Sequence, residues 1–284
     1  MTELERLEAE WNAESRGKKR DWNAAADSWE RKYRQGGSRE ASSLERLNAT
    51  VSFLEERGIL TETARILDAG CGPGRFAAAF AERCGQVTGV DISEKMCAYG
   101  EAWCAERGLD NVRFITADFA KTDIAELGLE GQFDLAFSSI TPAVRGLRGL
   151  DNLIRASRQW CFNASFVRED NRMLNRVRQE VFGLEPAAGR GMHADWFWLM
   201  FRILWLRGYD PEVRYYDQSR RIVQSAEGDY ARVLAEFSLG SDGTGAEEED
   251  MVRRFLERIA DPDGNVTEVS EYRTAWLLWN VGDR

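Results

Sequence analysis

The sequence predicts an α/β fold, a doubly wound and mostly parallel sheet, on three observations. An apolar run at 64–67 leads into Asp68 and then into glycines at alternate positions, Gly70, Gly72 and Gly74. A helical stretch follows at once, so the glycines occupy a strand-to-helix turn that can bring backbone close to a ligand. Further along, apolar segments of strand length alternate with amphipathic helical segments, the pattern of βαβ units.

Taken in order, residues 1–62 read as a helical cap. Trp22, Ala26, Trp29 and Tyr33 fall at i, i+4, i+7 and i+11, one helical face, and Gly36-Gly37 ends that segment. A second amphipathic helix covers 40–56 and is closed by Gly58. The core then reads strand to Asp68, helix 75–84, strand 86–90, helix 94–107, strand 112–116 and strand 133–137. A helix over 148–159 and a fifth strand over 160–167 follow. Beyond them the sequence predicts a polar helix over 170–182, an aromatic helix over 196–206 and a short strand over 212–217. Two helices, 225–239 and 246–260, precede a long closing strand or hairpin over 266–281. In domain terms this gives a cap (1–62), a cofactor-binding core (63–217), a helical insertion or lid (218–262) and a final strand completing the sheet (263–284).

The glycine turn suits a nucleotide-type ligand. The emerging helix presents free N–H groups and the positive end of its dipole to any anionic group. Spacing narrows the ligand: the dinucleotide fingerprint is G-x-G-x-x-G, whereas here the third glycine arrives one position early, at Gly74, with Arg75 in its place. Asp91 ends the second strand, where a carboxylate can accept from both ribose hydroxyls and would repel a 2′-phosphate. Asp118 lies just past the end of the third strand, at the edge where open α/β sheets bind ligands.

As an ordered set, LDAGCGPG, GVDIS, ITADF and FDLAFSS resemble the class I (Rossmann-like) S-adenosylmethionine-dependent methyltransferase family, over residues 64–139. The resemblance implies a Rossmann-like sheet whose last strand is antiparallel. It implies S-adenosylmethionine as methyl donor, with S-adenosylhomocysteine as product. Asp68, Gly70, Cys71, Gly72 and Gly74 would cradle the methionine end and Asp91 would hold the ribose. Ile92 and Met96 would flank the adenine, and Ala117, Asp118 and Phe119 would complete its pocket. Ser138 and Ser139 would stand near the donor's amino-acid end and the acceptor. An aromatic of the cap, Trp29 or Tyr33, would touch the methionine end; as a plain apolar stripe these residues only pack on the core. The Asn/Asp-Pro-Pro-aromatic run of amide and exocyclic-amine methyltransferases is absent, and so is a Pro-Cys pair.

His193 is the one imidazole of the chain and the candidate proton acceptor, although a lone histidine at a helix start is as readily a cap. Asp195 points to a different helical face. Trp198, Phe201 and Trp205 read as core. The five cysteines are odd in number and lack metal-ligand spacing, so no metal site is expected. A charged N-terminus and no apolar run long enough to cross a bilayer point to a cytoplasmic setting.

With 284 residues, 43% hydrophobic and 30% charged, the chain has ample core. Its net charge of −10, without a basic block, disfavours a nucleic-acid partner. The leading reading is therefore methyl transfer to N, O or S of a small molecule, without a membrane partner. A protein or RNA methyltransferase, a non-catalytic S-adenosylmethionine-binding partner protein and a nicotinamide-dependent reductase are the competitors. Neither the acceptor nor the oligomeric state is readable from the sequence.

Overall fold

A computed structural model of the chain describes residues 1–14, 21–24, 26, 38–187, 194–240 and 245–282. The described residues form a seven-stranded sheet in the order β3-β2-β1-β4-β5-β7-β6. The strands are β1 (Arg65–Ala69), β2 (Gln86–Asp91), β3 (Val112–Thr116), β4 (Phe133–Ser139), β5 (Ser157–Asn171), β6 (Glu212–Ser225) and β7 (Asn265–Asn280). The first five pair in parallel, and β7 lies antiparallel between β5 and β6. The strand order reverses between β1 and β4, which opens a crevice at their carboxyl ends.

Helices cover both faces, as a parallel sheet requires. On one face lie α2 (Ser38–Glu56), α3 (Arg75–Ala81) and α4 (Glu94–Ala105); on the other lie α1 (Glu3–Glu14), α5 (Gly146–Ala156) and α7 (Ala194–Leu206). The first face is organised by an aromatic row that crosses four strands. Phe137 stacks on Phe162 with centroids 4.9 Å apart, Phe162 meets Trp276 at 6.0 Å, and Trp276 stacks on Tyr216 at 5.4 Å. Such pairs add to the burial of large apolar area. Small residues Ala77, Ala78 and Ala79 let α3 lie close against this row.

The carboxyl edge is not level. β5 leaves β4 at the Ser139–Ala164 pair and runs seven residues further to Asn171, which at about 3.3 Å per residue stands roughly 20 Å above the crevice. β7 and β6 accompany it, paired without a slip from Glu212–Leu278 to Ser225–Asn265. On this extension sit α6 (Arg172–Glu180), α8 (Tyr230–Leu239) and α9 (Ala246–Ile259), which share an apolar cluster of Met173, Val177, Leu234, Phe255 and Val266.

Several sequence-based boundaries need correction. β5 and β6 are longer than the predicted 160–167 and 212–217, because both strands pair with β7 through polar stretches that carry no apolar signature. The helix expected from 225 starts at Tyr230 for the same reason, and the closing segment is one strand rather than a hairpin. Ser138 and Ser139 belong to β4 and do not cap the following helix, whose N-cap residue is Arg145. Trp198 and Trp205 are 47% and 60% exposed, whereas Ile203 and Leu204 take the core side of α7. Among the described residues no helix is long and apolar enough to cross a membrane.

Candidate functional site

The glycine turn lies at the carboxyl end of β1, and its three glycines serve two different ends. All three have positive φ, +73° at Gly70, +52° at Gly72 and +75° at Gly74, a region side chains rarely adopt. A Cβ on Gly70 would come within 2.0 Å of Thr141 Oγ1, and one on Gly74 within 2.8 Å of the Phe114 ring. Those two are glycines for packing. At Gly72 a Cβ would meet nothing within 4 Å, so this residue borders open space.

Asp91 fastens the turn from the neighbouring strand. Its Oδ2 accepts from the Gly72 N–H at 2.9 Å and its Oδ1 from the Ser93 N–H at 2.9 Å. Burial pushes the carboxyl up, against the pull of these N–H groups. Ser93 caps α4 by accepting from Met96 N at 3.2 Å, and its hydroxyl donates to Asn23 Oδ1 at 2.6 Å. This bond holds Asn23 beside the start of α4.

Asp68 is the buried acid of the site. One carboxyl oxygen takes the Ala77 backbone N–H; Oδ2 has no hydrogen-bond partner among the described residues. Burial, helped by the nearby Asp91 charge, pushes its pKa to about 8. Cys71 lies beside it, hydrogen-bonded to Cys97; the Cys71 thiol is pushed well up, and the same bond brings Cys97 down to about 7.

Ile92, immediately after Asp91, is 47% exposed, whereas Met96 in the first turn of α4 is buried. Ala117 N donates to Asp91 O at 2.8 Å, which levels the ends of β2 and β3. Asp118 carries an ion pair with Lys121, and its carbonyl accepts from Lys121 and Thr122 N–H groups. Phe119 is buried below.

At the end of β4 the two serines diverge. Ser138 is fully buried, its hydroxyl donating to Phe162 O at 3.3 Å and accepting from Asn163 Nδ2 at 2.9 Å, so it faces the sheet interior and not the crevice. Ser139 is half-buried at the strand end. Next comes a feature the sequence did not signal: Ile140 has φ +51°, the only non-glycine with positive φ among the described residues. A β-branched residue there is strained, and such strain concentrates at functional corners. Its N–H donates to Ala164 O at 2.9 Å. Thr141, against Gly70, and Arg145, stacked 3.5 Å from the Trp196 ring, complete the corner. Trp29, Tyr33 and His193 lie outside the described residues.

Comparison with known proteins agrees with this geometry. Residues 66–161 match the family described as "Methyltransferase domain". Residues 66–161 carry a methyltransferase domain, on a Rossmann-like fold. Over 76 residues it is 37% identical to the putative methyltransferase YqeM of Bacillus subtilis, covering 26% of this chain and 28% of that protein. Over 70 residues it is 37% identical to the 23S rRNA (uracil(1939)-C(5))-methyltransferase RlmD of Alkalilimnicola ehrlichii, covering 25% and 16%. The chain thus spans less than a third of either curated relative's length. Among solved structures, magnesium protoporphyrin IX methyltransferase from Synechocystis PCC 6803, with bound SAH, aligns over 68% of this chain and 87% of its own. The identity is 21% and the TM-score 0.51, a likeness of fold. A putative methyltransferase from Bacillus halodurans aligns over 82% and 99%, at 14% identity and TM-score 0.51.

Proposed function

We propose that the protein transfers the methyl group of S-adenosylmethionine to N, O or S of a small molecule by direct in-line displacement. The observation that carries the donor half is the turn at Gly72: backbone in a left-handed conformation, fastened by Asp91, bordering space that a Cβ would fill. Asp68 adds a carboxyl oxygen without a partner among the described residues, suited to a cationic group. Gly70, Cys71, Gly72 and Gly74 would line the methionine end, Asp91 the ribose, and Ile92, Met96, Ala117, Asp118 and Phe119 the adenine. When bound, the donor supplies an electrophilic methyl on a sulfonium, a leaving group that departs neutral. The protein's own task is then to hold the acceptor in line, exclude water and let one proton go. Ser139 and Ile140 mark where the acceptor atom approaches. The net charge of −10 favours a small acceptor over a long polyanion.

The test is a calorimetric titration with S-adenosylmethionine, S-adenosylhomocysteine and NADH, on wild type and Asp91→Ala. Micromolar binding of the first two, lost in the variant, is expected. Binding of NADH alone, or of none of the three, overturns the reading.

A further inference from the structure

A second cavity, of about 440 Å³, lies on the extension between the sheet and α8. Its floor is charged. Glu169 of β5, Arg220 of β6 and Glu268 of β7 all line it, and Asp229 stands at the rim. Its other wall is apolar, made by Leu174, Val233 and Phe237, the last 67% exposed.

Glu268 is only 4% exposed, a costly place for a carboxylate unless it is matched by positive charge. Its oxygens take the Tyr230 hydroxyl at 2.7 Å and the Ser270 hydroxyl at 3.2 Å, both neutral donors. Arg220 stands 3.6 Å away, an ion pair beyond hydrogen-bond distance. Its guanidinium instead donates to the Tyr272 hydroxyl and lies 4.8 Å from that ring. Glu169 is hydrogen-bonded to Tyr272 as well, and burial pushes its carboxyl up. Two carboxylates therefore converge on one guanidinium that is not bidentate to either, which leaves the floor one positive charge short.

We propose that this cavity binds an organic ammonium ion with an apolar body, its cationic head between Glu169 and Glu268 and its body against Val233 and Phe237. The head site at Glu169 and Glu268 stands five or more strand residues, roughly 15 Å, beyond the Ser139–Ala164 pair, so the bound amine is not the group methylated at the Ser139–Ile140 corner. Its binding does not rest on the transfer reading above.

The experiment titrates the full chain with 2-phenylethylamine and hexylamine. The neutral controls are 2-phenylethanol and hexanol, and the anionic control is 3-phenylpropionate. S-adenosylhomocysteine is titrated into the same samples. The amines should bind at least tenfold tighter than the alcohols and the carboxylate. Glu268→Gln should abolish that preference while leaving the alcohols unchanged. Val233→Trp, at a half-buried position on the cavity wall, should weaken the amines at least tenfold, and it decides the matter alone if Glu268→Gln does not fold. Equal binding of amine and alcohol, no binding of either amine, or amine binding untouched by the variants overturns the proposal. S-adenosylhomocysteine binding without amine binding overturns the cavity and spares the transfer reading; amine binding without S-adenosylhomocysteine binding does the reverse.

Discussion

The glycine turn and the β5–β7–β6 extension are built from different materials. At the turn, on β1 and β2, main chain does most of the work: three glycines with positive φ, and a carboxylate that grips two backbone N–H groups. On the β5–β7–β6 extension the cavity is made of side chains brought together from distant stretches. Tyr230 meets Glu268, and Arg220 meets Tyr272 beside them. Backbone-built sites tolerate few residue types at fixed positions, whereas side-chain sites can be rewritten while the strands stay paired. The donor end is thus suited to a constant ligand and the extension to one that varies.

The sharpest way to break this contrast lies within the glycine turn itself. Gly70→Val would drive a branched side chain into Thr141 at a backbone angle it cannot adopt, and loss of the fold is expected. Gly72→Ala meets no protein atom, so the left-handed residue should cost stability only about 1–2 kcal/mol while S-adenosylhomocysteine affinity drops about tenfold or more. Thermal melting and calorimetry on the two variants separate packing from ligand contact. Unchanged affinity in a folded Gly72→Ala protein would remove Gly72 from the donor site.

Asp68 offers a second test, of about 1.4 kcal/mol per pH unit at its steepest. Its carboxyl lies near 3.8 in the unfolded chain and about 8 in the folded one, so the native state holds the proton more tightly. The stability this confers is fully present below pH 3.8, declines as pH rises and is lost by about pH 8. Asp68→Asn should flatten the stability profile between pH 5 and 8, measured by urea denaturation. If a cationic part of the donor faces Asp68, binding at pH 7 should also release up to about one proton. Calorimetry in buffers of different ionisation enthalpy reads that number. A release of zero places the cation elsewhere.

The same contrast explains what the sequence disclosed. Asp68, Gly70, Gly72, Gly74 and Asp91 announce themselves because backbone geometry restricts residue type and strand alternation fixes spacing. The parallel order of β1 to β5 followed from apolar runs between helices. Ile140 left no trace, since an isoleucine in a strained conformation is held there by its surroundings and not by its own preference. The length of β6 was hidden because an edge strand with one polar face, through Gln218, Arg220 and Gln224, lacks a continuous apolar signal. The partner of Ser138 was hidden because sequence does not show which way a strand-end hydroxyl turns; here it accepts from Asn163 Nδ2.

The smallest effect tests the one helix whose pattern misled. α7 is apolar nearly all round, so its periodicity does not mark a buried side. The structure turns Phe197, Met200, Ile203 and Leu204 onto the sheet and leaves Trp205 60% exposed. An exposed side chain contributes little beyond its local contacts, so Trp205→Ala should change unfolding free energy by no more than about 0.5 kcal/mol in urea denaturation. A loss above about 3 kcal/mol, the cost of truncating a buried tryptophan, would mean that this face is covered.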